Sequence, residues 1–193
     1  MIVTPYLVPK QPVKVEQSVK RSLFICSLFH AGSREVAGER ITEIRSKHAD
    51  ANHNCWAFIA GSPADHNCRG MSDDGEPKGC AGRPMLSVLE HSGIGEICVV
   101  VTRYFGGIKL GTGGMARAYS STVQLGLKSM ETITRKFYEK GEVIVDYEML
   151  ERVLRFLKNS DVQIKNQEFN QQVNLRLNLP QGKKKSIEQA LLN

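Results

Sequence analysis

The stretch ICVVVTRYFGGIKLGTGGMARAY, residues 97–119, decides the architecture. Its opening, Ile97 to Phe105, is β-branched and aromatic with little polar alternation, which reads as a central strand buried on both faces. Five glycines follow (Gly106, Gly107, Gly111, Gly113 and Gly114), and then Met115, Tyr119, Val123 and Leu127 recur along one row of a helix reaching about Lys128. Glycine lets backbone N–H groups approach a ligand closely, and a helix N-terminus favours negative charge. Arg103, Lys109 and Arg117 place cations nearby. The segment therefore reads as a backbone-amide site for an anion, most naturally phosphate; the plainer reading is that the glycines only permit a tight turn and close helix packing. It is not a Walker loop, which needs Gly-Lys-Ser/Thr. Nor is it the dinucleotide GxGxxG, which would require glycine where Arg117 stands.

Upstream, residues 11–28 read as a hairpin, with Val13 and Val15 alternating before the apolar run around Leu23, Phe24, Ile25 and Leu28. Ser33 is placed as the N-cap of a helix to about His48, carrying Ala37, Ile41 and Ile44 on one face and a Glu43–Lys47 pair. A short strand over Cys55–Ala60 comes next. The non-periodic stretch from Gly61 to Arg83 reads as a long loop, a kind that is usually functional or mobile. Pro84 suits the first turn of a helix ending near His91.

From about Lys136 the grammar is plainer. Val143, Val145 and Tyr147 read as a strand, and Leu150, Val153, Leu154 and Leu157 as an amphipathic helix. Val162 and Ile164 read as a second strand, and Val173, Leu175, Leu177 and Leu179 as a third with one buried face. Ile187, Ala190 and Leu191 open a last helix. The order β-α-β-β-α is a ferredoxin-like domain whose final strand is missing. The reading is thus α+β in two domains, 1–135 and 136–193.

The chain of 193 residues is 41% hydrophobic and 24% charged, enough to bury a core, and no apolar run approaches the ~20 residues of a membrane span. No signal peptide opens it, and its five cysteines form no CxxC pair, so a cytoplasmic protein is expected. Basic residues exceed acidic ones by six, spread along the chain, which leans towards polyanionic partners.

A second motif is SDDGEPKGCAGRP, residues 72–84. Asp73, Asp74 and Glu76 are candidates to hold Mg²⁺ or to order the loop by pairing with arginine; the plainer reading is solvated turn chemistry. Two HxC pairs, His53–Cys55 and His66–Cys68, are poor zinc geometry, because HxC puts both side chains on one side of an extended strand. Lys20, Arg21, His53, Tyr104 and Tyr119 complete the set of candidate contributors to the site.

The DDGEP–KGCAG–RPML and VVVTRYFGGIKLGTGGMARAY motifs, with RSLFI (21–25) and HADANHNCWAF (48–58), resemble the bacterial YigZ branch of the IMPACT family over nearly the whole chain. That resemblance implies a first domain similar to the second domain of a small-subunit ribosomal protein and to domain IV of elongation factor G, and a second similar to its domain V. Together with the +6 charge and the amide-rich glycine loop, these domain likenesses lead to the expectation of RNA or the ribosome as partner and a role in regulating translation; no cofactor, metal or membrane contact is expected. The alternative is a Mg²⁺-dependent enzyme acting on a small phosphorylated metabolite.

Overall fold

The computed structural model describes residues 4–192 and is of mixed α+β architecture. Two compact units divide it, one over 6–135 and one built from 136 onward. In the first unit β1 (Tyr6–Pro9) pairs with β7 (Thr132–Arg135) as a two-stranded ribbon. The remaining strands are β2 (Val13–Val19), β3 (Ser22–His30), β4 (His53–Ile59), β5 (Arg69–Ser72) and β6 (Ile97–Tyr104). They form one antiparallel sheet in the order β2-β3-β6-β4-β5.

β6 is the central strand, and its two-residue period feeds two cores. Ile97, Val99 and Val101 pack with α2 (Gly82–Ser92) and α3 (Thr112–Lys128). Cys98 and Val100 pack with Ile41 and Ile44 of α1 (Arg34–Lys47) on the other face. Ser33 caps α1 as its spacing predicts, its side chain accepting from the Val36 N–H. The stretch from Gly61 to Arg83 is not one loop. It contains a 3₁₀ turn over His66–Cys68 and the edge strand β5, whose register with β4 sets Gly70 against Phe58. A side chain at Gly70 would meet the Phe58 ring at 2.4 Å, so the pairing depends on that glycine.

The second unit runs β8 (Tyr138–Val145), α4 (Tyr147–Lys158), β9 (Gln163–Phe169), β10 (Val173–Pro180) and α5 (Lys184–Leu192). Its antiparallel sheet has the order β8-β10-β9, the split β-α-β arrangement of a ferredoxin-like domain with β8 at an edge among the described residues. Val173, Leu175, Leu177 and Leu179 are buried, as their alternation predicts. Tyr147 is not part of the strand: Asp146 stands at the N-cap position and Tyr147 opens α4, half exposed. The side chains of Ala190 and Leu191 lie outside the described residues. No described helix is long and apolar enough to cross a membrane.

Candidate functional site

The parity that buries Ile97, Val99 and Val101 also turns Arg103 inward. In register it lies between Phe24 on β3 and His53 on β4. Arg103 is only 5% exposed, so it is no solvent-facing phosphate cation. Its Nη1 donates to Glu76 Oε1 at 2.6 Å, and its guanidinium sits 5.5 Å from the ring centres of both Phe24 and Phe105. The Tyr119 hydroxyl donates to the same Glu76 oxygen at 2.9 Å, and the Cys55 thiol lies 3.3 Å from that hydroxyl. Two charges out of water are tolerated only when paired and hydrogen-bonded in this way.

The network fixes the chemistry of its members. Burial, then the neighbouring Cys55 and Glu76, push the Tyr119 phenol far above its ordinary range. Burial pushes the Cys55 thiol up to about 12, so at neutral pH it is a thiol and no nucleophile. Tyr119 is fully buried and offers no stacking face. Tyr104 has the opposite parity from Arg103, and its hydroxyl bonds His48 and Asp50. Neither tyrosine lines the cavity beside the start of α3.

The three acidic residues do not converge on a common point. Asp73 accepts from the backbone N–H groups of Gly79, Ala81 and Gly82. Burial raises its pKa, but those three donors outweigh burial and hold it below the usual carboxylate range. Asp74 pairs with Arg45 and accepts from the Asn54 N–H at 2.6 Å. Glu76 is spent on Arg103 and Tyr119. No group of three or more His, Cys, Asp or Glu side chains among the described residues is placed to hold a metal ion. His53 sets Nδ1 2.9 Å from the Asp74 carbonyl, which can only accept, so Nδ1 carries the proton.

The glycines divide into architecture and site. A Cβ on Gly106 would lie 2.0 Å from the backbone carbon of Arg21, and its N–H donates to Ser22 Oγ at 3.1 Å. Gly106 is therefore structural: it lets the β2–β3 turn, Lys20-Arg21, lie against the loop. Gly107 has an open, left-handed backbone (φ 85°). Gly111, at φ 72°, is the N-cap of α3 and supplies no side-chain cap. The leading N–H groups of a helix have no intrahelical acceptor, and Thr112 and Gly113 are exposed there, with Gly114 half-buried. A Cβ on Gly113 would be 3.8 Å from Arg117 Nη1, so that guanidinium folds back towards the helix start. Lys20, Arg21, Lys109 and Arg117 are all exposed.

Beside this helix start lies a cavity of about 390 Å³, walled by Asn52, His53, Glu76, Arg103, Phe105 and Thr112 among others. Asn52 and Thr112 are not singled out by the sequence, whereas Phe105 offers there a stacking face whose plainer use is packing. Asn52 Oδ1 accepts the Phe105 N–H at 2.7 Å, a contact across 53 residues that no local pattern announces. A larger opening of about 920 Å³ runs along β8 in the second unit, and none of the candidate residues reaches it.

Residues 20–127 match the Impact N-terminal domain, and residues 143–193 match a domain of unknown function, DUF1949. The chain belongs to the IMPACT family. It is 43% identical to an IMPACT family member of Haemophilus influenzae over 95% of this chain and 87% of that one. To the IMPACT family member YigZ of Escherichia coli it is 40% identical, over 92% and 87%. A crystal structure described only as that of a hypothetical protein shares the fold at a TM-score of 0.71 and 38% identity, covering 98% of this chain and 92% of that one.

Two outcomes test the buried network. Glu76→Gln strands the Arg103 charge and is expected to cost about 3–5 kcal/mol in chemical denaturation, whereas Glu76→Gln combined with Arg103→Met restores most of it. Asp73→Asn is expected to cost about 1 kcal/mol near neutral pH, the usual worth of a cap. Because folding depresses this pKa, the Asp73 contribution is complete above the unfolded value and disappears as pH falls through the folded one. The gap between wild type and Asp73→Asn should therefore hold from about pH 7 to pH 5 and close below about pH 4.

Proposed function

We propose that the protein binds RNA through the N-terminal face of α3 and acts on translation as a ribosome-associated regulator. The observation that carries this reading is the uncapped, exposed start of α3 with Lys109 and Arg117 beside it and the exposed Lys20-Arg21 turn lying against Gly106, while the nearby carboxylates are spent internally. Backbone amides at a helix start hold phosphate, and exposed cations beside them add the salt-dependent attraction of a polyanion. The link to translation rests on the family, whose resemblance implies domains similar to those of elongation factor G.

The β2–β3 turn supports the same role. Lys20 and Arg21 both adopt positive φ, 46° and 65°, in a two-residue hairpin turn that Asn-Gly would suit better. Two long cations are held there in a backbone conformation that disfavours them, and such strain collects at functional sites.

Thr112→Glu places a carboxylate where the helix dipole welcomes it and phosphate would sit. It is expected to leave thermal stability unchanged or slightly raised while lowering RNA affinity more than tenfold. For wild type, contacts from four cations to a single strand predict a log–log salt slope of about −3. A flat salt dependence would refute the reading. Lys20→Asn with Arg21→Gly is expected to stabilise the protein by about 1 kcal/mol and to weaken RNA binding, the two effects moving in opposite directions in one variant.

A further inference from the structure

We infer that the cavity beside α3 receives one unstacked nucleotide, base inward and phosphate outward, so that single-stranded RNA is preferred over duplex; this rests on the RNA-binding reading above. The two ends of the cavity differ in chemistry. At the rim stand Gly111 and Thr112, with the first-turn amides, and Lys109. At the inner wall stand Glu76 and Arg103, 8% and 5% exposed.

That inner wall is only partly satisfied. Arg103 Nε is buried with no partner among the described residues. Glu76 Oε1 takes two donors, and His53 Nε2 stands 3.8 Å from Oε2. A phosphate pushed to this depth would face a carboxylate. A nucleobase brings a ring or carbonyl acceptor for the unpartnered Arg103 Nε, and its N–H groups can donate to the Glu76 carboxylate. Phe105, 46% exposed, and Met115 add apolar wall against which a base can stack. The volume of about 390 Å³ falls in the range of sites for small ligands. In a duplex the bases are paired and stacked, so their faces and Watson–Crick edges are closed to such a pocket.

The test compares a fluorescently labelled 12-nucleotide single strand with the blunt duplex of the same sequence, at one low salt concentration. The single strand is expected to bind at least tenfold more tightly. Phe105→Ala, at a half-exposed position and checked for folding by circular dichroism, is expected to weaken single-strand binding about tenfold and to narrow that preference. Equal affinity for the two forms, or an unchanged single-strand affinity in Phe105→Ala, would overturn the pocket inference while leaving RNA binding intact. Binding of neither form would overturn both.

Discussion

The ion pair between Arg103 and Glu76 is the constraint around which the first unit is arranged. A guanidinium on the penultimate position of a buried strand strands a charge in the core unless a carboxylate is brought to it. Here the chain after β5 supplies one in Glu76, and Asp73 and Asp74 fix that segment in place. Asp73 gathers three backbone N–H groups at the approach to α2, and Asp74 ties the turn to Arg45 on α1 and to the start of β4. Tyr119, one turn beyond Met115 on α3, completes the carboxylate's shell. The position of α3 on the sheet, and so of its exposed start, follows from electrostatics at the core as well as from apolar packing.

Much of this was legible in the sequence wherever period and burial agree. The uniform run Ile97–Phe105 announces a central strand, and Ser33 before an apolar period of 3.6 announces α1. The strict alternation from Val173 to Leu179 announces the inner face of β10. What escaped has physical causes. β5 has four residues, Arg-Gly-Met-Ser, with no strand propensity of its own; it exists because the β4 edge offers hydrogen bonds and Gly70 makes room for the Phe58 ring. Tyr147 continues the alternation of β8, but Asp146 breaks the strand and starts a helix.

At the site the signal for Arg103 was present and contrary to its charge. Counting by two from Ile97 puts Arg103 on the same buried face and Tyr104 on the other, so parity alone separates their fates. Charge type invites the reading of an exposed phosphate ligand, and parity wins because Glu76, Tyr119 and two aromatic rings compensate the desolvation. The cavity is a different case. Phe105 and Thr112 lie in the glycine-rich stretch, but Asn52 and Glu76 come from distant segments, so only the folded chain assembles it.

The same economy shapes the surface field. A net charge of +6 spread evenly along a chain says little about where a polyanion would bind. Folding redistributes it. Asp73, Asp74 and Glu76, which in sequence stand as an acidic cluster beside the glycine loop, are each drawn into internal contacts with backbone amides or arginine. Lys20, Arg21, Lys109 and Arg117 stay outside, two of them in a strained turn pressed against Gly106. A stretch whose sequence charges nearly cancel thus becomes one-sided in space, with the acids satisfied within and the cations facing solvent beside an uncapped helix start. That separation by burial, more than the total charge, is what leaves the start of α3 with exposed cations and no opposing free carboxylate from this cluster.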